Sequence, residues 1–312
     1  MTPVMPTVRA TKPTSLASLA RPARGAPYGP EGDAGAMCGR YSTARGREEI
    51  IDAFDVERDT TDALEPDYNV APTKPVPMIL TRDVRELHVA RWGLVPSWAK
   101  DPAIGSRMIN ARVETVHEKP AFRRAFARRR CLLPADGYYE WYTREEGGKQ
   151  PFFIRPSDGS MLAMAGLYEV WRPAREVGRG RPGGRSGSAG RSVGVGWSGW
   201  TGRDGLVGAD TDAPEEEWLL SCTVITTEAS DDVGRIHERM PMLVEPERFG
   251  AWLDPELTAP EEVRSLLVPA AAGRLEAYPV STAVNKVRNY GPELVKPLPD
   301  LGISPGETPT LF

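Results

Sequence analysis

Cys131-Leu-Leu-Pro-Ala-Asp-Gly-Tyr-Tyr-Glu-Trp-Tyr142 is an apolar and aromatic run interrupted once, at Asp136-Gly137. Aromatic side chains suit a pleated surface, so the run reads as strand. Successive strand residues face opposite sides, which puts Glu140 with Tyr138 and Tyr142 and leaves Tyr139 and Trp141 on the other side. A carboxylate wedged among aromatics is desolvated, and its pKa rises toward the range useful for proton transfer. The plainer reading of the same spacing is an exposed edge-strand glutamate.

Outward from this run the strand signal recurs in short segments bounded by Pro, Gly or Asp: Val76–Leu80, Leu87–Leu94, Phe152–Ile154, Leu162–Trp171 and Leu219–Thr226. Helical spacing is found over Arg47–Phe54, Thr115–Ala127, Glu247–Leu253 and Pro260–Leu267. Strands outnumber helices without alternating regularly with them. That pattern predicts an α+β fold rather than a doubly wound parallel sheet.

Two stretches fall outside the pattern. Residues 1–36 hold six prolines and no periodicity, so they cannot bury enough apolar surface to offset their ordering entropy and are expected to be a disordered extension. Twelve glycines between Gly178 and Gly208 mark residues 172–217 as a loop inserted between two strands. What remains, roughly 230–240 residues, suits one compact domain.

Of the 312 residues, 39 are basic and 43 acidic, a formal charge of -4. This excludes a wholly basic nucleic-acid coat but not a local basic groove. No apolar run approaches the ~18 residues of a membrane-spanning helix. Three scattered cysteines, Cys38, Cys131 and Cys222, form neither a disulfide framework nor a zinc ribbon and point to a reducing, cytoplasmic compartment.

Chemistry is best placed at Cys38. A lone cysteine is more often a buried filler. Here Met37 precedes it, and Met removal would leave a free α-amine beside the thiol. The amine, of ordinary pKa near 7.7–8.0, is partly unprotonated at neutral pH. It can form a Schiff base with an aldehyde, and the thiolate can then close a five-membered thiazolidine. An amide nitrogen could not react in this way.

His237, in Gly234-Arg-Ile-His-Glu-Arg-Met-Pro241, follows a strand and a polar loop, where a histidine can shuttle protons. His88 and His117 read as satisfied or surface residues. Asn110 and Arg112 lie two apart on an extended segment, an amide and a guanidinium suited to an anionic substrate. An ion pair from Arg112 to Glu114 or Glu118 is the bland alternative. Trp98, near a turn, could stack on a base. Arg123, Arg124, Arg128, Arg129 and Arg130 could track a phosphate backbone or form a solvated helix face.

Seven blocks together resemble the SRAP family, the SOS response-associated peptidases that shield abasic sites in single-stranded DNA. They are Met37–Tyr41, Tyr68–Thr73, Trp92–Trp98, Ile109–Thr115, Cys131–Trp141, Ile236–Pro241 and Tyr278–Val284, in family order across about 38–297. The resemblance implies antiparallel strands curled into a barrel-like core with flanking helices, followed by a tail at 298–312. It implies Cys38 as an amino-terminal nucleophile forming a thiazolidine with the lesion, and Glu140, His237 and Asn110 as the other catalytic residues. Arg40, Arg112 and Trp98 match positions that hold DNA.

The resemblance also implies a monomer acting on single-stranded DNA that contains abasic sites. It implies no metal or cofactor, no membrane, and a place in the cytoplasm or on the nucleoid. Release of the chain's own residues ahead of the cysteine is a further implied activity. Family members begin at the cysteine, so either translation starts at Met37 or the first 36 residues are removed. Pro120 stands where the family often has an arginine. A thiol peptidase acting on other proteins and a non-catalytic single-strand binder are the alternatives from other functional classes.

Overall fold

The computed structural model describes residues 38–144, 147–173, 218–229, 231–271 and 273–299. The extension at 1–36, nearly all of the insertion at 172–217 and most of the tail at 298–312 lie outside the described residues. Strands run over β1 Tyr41–Thr43, β2 Arg58–Asp59, β3 Asp67–Val70, β4 Pro75–Thr81, β5 Arg85–Trp92, β6 Asn110–Arg112 and β7 Arg130–Ala135. They continue with β8 Gly137–Thr143, β9 Lys149–Pro156, β10 Leu162–Trp171, β11 Leu219–Glu228, β12 Arg239–Pro241 and β13 Leu275–Pro279. The α-helices are α1 Arg47–Ala53, α2 Arg123–Arg128, α3 Asp231–Ile236, α4 Phe249–Leu253 and α5 Pro260–Ser265.

β11, β10, β7, β4 and β5 are neighbours in that order. β5 then returns to β11 in parallel register, Arg91 beside Ser221 and Trp92 beside Cys222, which closes a five-stranded barrel. A second sheet, ordered β13-β9-β8-β1-β3, packs against it. The fold is therefore α+β with mostly antiparallel pairing.

Alternation along β10 explains the layering. Leu162 and Met164 join a core shared with Tyr41, Tyr138 and Phe152 of the second sheet. Ala163, Ala165 and Leu167 face the other way, into a core built with Ile50 and Phe54 beneath the helices. A strand buried on both faces reads as a continuous apolar run, which is why β10 is visible in sequence to both its ends. At Gly166 between these faces, a Cβ would lie 2.8 Å from Cys131 Sγ.

Several expectations need correction. The Cys131–Tyr142 run is two strands, β7 and β8, which belong to different sheets. Asp136 at the break accepts hydrogen bonds from Ser42 Oγ (3.0 Å) and the Ala44 N–H (2.6 Å). Thr115–Ala127 is not one helix: turns occupy its first part and helix begins at Arg123, after Pro120 has removed a backbone donor. The loop expected before His237 is in part the short helix α3, whose Val233 and Ile236 enter the main core.

Arg130 does not belong to a basic surface. It is buried, and its guanidinium donates to the carbonyls of Trp252 (2.7 Å), Phe126 (3.0 Å), Ala127 (2.7 Å) and Leu257 (2.9 Å). Burial lowers its pKa to about 10. Arg123, Arg124 and Arg128 remain exposed.

Candidate active site

The pairing of β1 with β8 assembles the site. Tyr41 lies opposite Tyr138 and Ser42 opposite Gly137, a register that draws the segment before β1 alongside Glu140. The Cys38 backbone N–H donates to Glu140 Oε1 at 2.7 Å. Cys38 and Glu140 are both buried, at 4% and 2% exposure. On its other side β8 meets β9, whose close approach needs glycine at 137: a Cβ there would fall 2.5 Å from the Ile154 carbonyl oxygen.

Glu140 points as the alternation predicts. Tyr138 and Tyr142 share its side of the sheet and pack in the main core, whereas Tyr139 and Trp141 pack on the opposite face with Val280 and Val284. Burial holds the Glu140 carboxyl above the ordinary carboxylate range, opposed by the His237 charge and by hydrogen bonds with Cys38. Burial likewise pushes the Cys38 thiol well up, and Glu140 adds to the effect.

The third member arrives from the turn between α3 and β12. His237 is half-buried, and its Nδ1 accepts the Arg239 backbone N–H at 3.1 Å. The Arg239 carbonyl oxygen in turn accepts from Cys38 Sγ at 3.9 Å. Cys38, Glu140 and His237 are thus brought together through one strand pairing and one turn.

The remaining candidates lie on two flanks. β6 pairs in parallel with β11, Asn110 beside Val224 and Arg112 beside Thr226. β12 pairs with the same stretch of β11 from the other side, Pro241 opposite Thr226. Asn110 is half-buried and Arg112 exposed. Glu114 does not take the expected partner: its carboxylate receives Arg239 Nη1 and Nη2 at 2.7 and 3.1 Å. Trp98 is 57% exposed, on a segment tied down by a 2.7 Å bond from Trp171 Nε1 to the Ala99 carbonyl.

Arg40 is committed to the fold through one nitrogen. Its Nη1 donates to Asn69 Oδ1 (2.7 Å) and the Val284 carbonyl (2.8 Å), and its guanidinium sits 6.0 Å from the centre of a Trp141 ring. Sequence reasoning missed Asn69, which is buried and whose Nδ2 donates to the carbonyls of Val284, Lys286 and Asn289. It also missed Arg239 and Glu114, since both sit within quoted blocks but only the fold makes them partners.

His88 is satisfied, its Nε2 2.8 Å from Glu86 Oε2 and its Nδ1 2.9 Å from Thr60 Oγ1. His117 pairs with Glu118 at 3.3 Å. Among the described residues no three His, Cys, Asp or Glu side chains gather as a metal site requires. No helix among them is long and apolar enough to cross a membrane.

Fold and site together define a class: barrel proteins that centre a buried cysteine on a glutamate and a histidine. The model of the SOS response associated peptidase (SRAP) family matches residues 37–287. The chain belongs to that family. It is 36% identical over 261 residues to the abasic site processing protein YoaM of Bacillus subtilis, covering 83% of this chain and 97% of that one. It is 32% identical to the abasic site processing protein YedK of Escherichia coli, covering 84% and 100% of the two chains. It is also 32% identical to the abasic site processing protein HMCES of Gallus gallus, covering 76% and 68%. A solved structure from Bacteroides thetaiotaomicron matches with a TM-score of 0.64 at 23% identity, over 84% of this chain and 100% of that one. At that identity the match is a likeness of fold.

Proposed function

We propose that this protein processes abasic sites in single-stranded DNA by joining them covalently to Cys38. The observation that carries the proposal is one contact: Glu140 holds the Cys38 nitrogen at 2.7 Å and lies against the thiol of the same residue. These are the two nucleophiles a thiazolidine needs. The relatives' names supply the substrate class, since each is an abasic site processing protein.

In the proposed sequence the bond from C1′ to the sugar ring oxygen breaks as the C1′ hydroxyl loses its proton to water and His237 supplies one to the ring oxygen, leaving the aldehyde. The free Cys38 amine attacks C1′, and Glu140 moves a proton from that nitrogen to the hydroxyl, which leaves as water. The thiol adds to the resulting imine carbon, its proton passing to nitrogen, and the ring closes. Overall one C–N and one C–S bond form and one water is released. Asn110 orients the lesion, Arg112 and Arg40 engage phosphates, and Trp98 stacks on a base.

The same centre would free its own amine. Attack of Cys38 Sγ on the Met37 carbonyl breaks the Met37–Cys38 amide. Glu140 protonates the departing nitrogen, and water hydrolyses the thioester. Backbone conformation supports this step. Cys38 has φ 47, in the left-handed region that non-glycine residues adopt at a cost of about 1–2 kcal/mol. That strain requires a residue before Cys38 and disappears once the bond is cut.

The test is incubation with single-stranded DNA carrying one abasic site. A form beginning at Cys38 yields a denaturation-resistant adduct whose mass is the sum of the two components less one water. Cys38→Ala and any form retaining residues 1–37 yield none. An adduct from the uncleaved chain overturns the proposal, as does an adduct lacking the water loss. Use of the thiol in this way requires a reducing compartment, in keeping with three free cysteines.

A further inference from the structure

The ion pair between Glu114 and Arg239 has no part in the chemistry above, yet its geometry reaches both reacting groups. The Arg239 side chain is 7% exposed and that of Glu114 45%. Both carboxylate oxygens of Glu114 accept from the guanidinium, whose Nη2 also donates to the Thr226 carbonyl at 2.7 Å. Glu114 follows β6 and Thr226 lies on β11, so Arg239 is fastened to two neighbouring elements. A bidentate pair fixes orientation as well as position.

The Arg239 main chain faces the site. Its N–H donates to His237 Nδ1 and its carbonyl oxygen accepts from the Cys38 thiol. When Nδ1 of a neutral imidazole accepts, the ring proton resides on Nε2. We propose that Glu114 is a positioning residue: by clamping the Arg239 side chain, it holds the Arg239 backbone where it keeps the neutral His237 ring in the Nε2–H tautomer. Nε2–H is then the donor that the ring presents to the substrate. The rate consequence rests on the proton-transfer role given to His237 above; the tautomer consequence does not.

The two are separated by measuring both. The chain has three histidines, so ¹⁵N-histidine labelling of the full chain gives few ring signals, and His237→Gln assigns those of His237. His88 and His117 serve as internal references. The wild-type neutral ring shows Nε2–H. Glu114→Ala gives a mixture of tautomers at His237 alone. In the form beginning at Cys38, adduct formation on abasic single-stranded DNA slows about 10- to 100-fold, a fraction of the loss seen when a catalytic histidine takes the wrong tautomer outright.

Glu114→Asp, which retains a carboxylate, restores most of the tautomer preference and of the rate. Affinity for undamaged single-stranded DNA stays within about twofold of wild type, since no base or phosphate contact is assigned to Glu114. If Glu114→Ala folds poorly, Glu114→Gln keeps the volume and one acceptor and gives an intermediate mixture. A wild-type ring in the Nδ1–H form overturns the proposal, as does an unchanged tautomer in both Glu114→Ala and Glu114→Gln. Absence of any adduct with wild type, beside a tautomer shift in Glu114→Ala, overturns the proposed function and leaves the positioning role standing.

Discussion

Among the described residues two buried glutamates lie beside histidines, and their surroundings differ. Glu86, 1% exposed, faces His88 Nε2 at 2.8 Å, Arg58 Nη1 at 2.5 Å and Arg82 Nη1 at 3.7 Å. Its histidine is bonded through the other nitrogen to Thr60. Glu140, equally buried, takes a backbone N–H and borders a thiol, and its pKa is raised by burial rather than lowered by a guanidinium. The His237 ring is half-buried rather than sealed. A carboxylate bonded by an imidazole and a guanidinium serves the fold. One left short of counter-charge has its pKa raised by burial, which suits proton transfer at some cost to stability.

The sharpest way to break this contrast is Glu140→Gln. Loss of a general acid–base group lowers the rate of adduct formation about 10²- to 10⁴-fold. The same substitution raises the melting temperature at neutral pH. Burial lifts the folded-state pKa of Glu140. Between the ordinary carboxylate range and that raised value, the folded chain therefore retains a proton the unfolded chain has released. Stability falls as pH rises through this window, and glutamine removes the fall. Melting curves at pH 7 and near pH 4 check it: the advantage of the variant is largest at pH 7 and shrinks toward pH 4. A variant less stable than wild type at pH 7 would show that Glu140 is a structural acid like Glu86.

Glu86→Gln gives the mirror image. Removing the charge weakens the hydrogen bonds made to a buried histidine and to two solvent-accessible arginines, which destabilises the fold by about 1–2 kcal/mol. Adduct formation per folded molecule is unchanged. Chemical denaturation and a single-turnover adduct assay on the same preparation measure both. Slowed chemistry with stability intact would collapse the distinction between the two centres.

The difference between these centres bears on what sequence can reveal. Glu140 was legible because its flanking aromatics are neighbours in the chain, so a period of two predicts both face and desolvation. Glu86 was not, because Arg58 reaches it only through the pairing of β2 with β5, and Arg82 across the turn that joins β4 to β5. β10 and β11 could be read from long apolar runs, whereas three-residue strands such as β1 and β12 carry too few residues to show a period. Those short strands bring Cys38, Glu140 and His237 together. Cys38, Glu140 and His237 could thus be picked out singly, while the Glu114–Arg239 clamp between β6 and β12 had no signal in the chain.

One block repeats the contrast within seven residues. In Trp92-Gly-Leu-Val-Pro-Ser-Trp98 the first indole is fully buried, with Nε1 donating to the Ile109 carbonyl at 3.0 Å, and the second is 57% exposed. Gly93 turns the chain between them at φ 126, where a Cβ would meet the Gly105 carbonyl oxygen at 2.6 Å. Trp98→Ala leaves the denaturation midpoint within about 0.5 kcal/mol of wild type, as befits an exposed side chain. It weakens affinity for single-stranded DNA by about 1 kcal/mol, the low end for one lost base–aromatic stack. Fluorescence anisotropy with an undamaged oligonucleotide measures the second effect, and unchanged affinity would remove Trp98 from the DNA-binding surface.

The smallest effect is a slope. Burial pulls the pKa of His88 below its ordinary value, and the hydrogen bond and charge of Glu86 oppose the shift without cancelling it. The charges that reach the ring are Glu86 and Asp59, which favour protonation, and Arg82, which disfavours it. In the unfolded chain the imidazole takes up a proton near pH 6.5. Below that pH the unfolded state therefore binds more protons than the folded state does. Stability is full above about pH 6.5 and declines as the pH falls toward the folded-state pKa. Replacing His88 with glutamine, which can still bond Glu86, flattens this part of the profile. Urea midpoints of wild type and His88→Gln measured from pH 7 to pH 5 check it, and a slope left unchanged in His88→Gln would show that the buried ring is not the group coupled to folding.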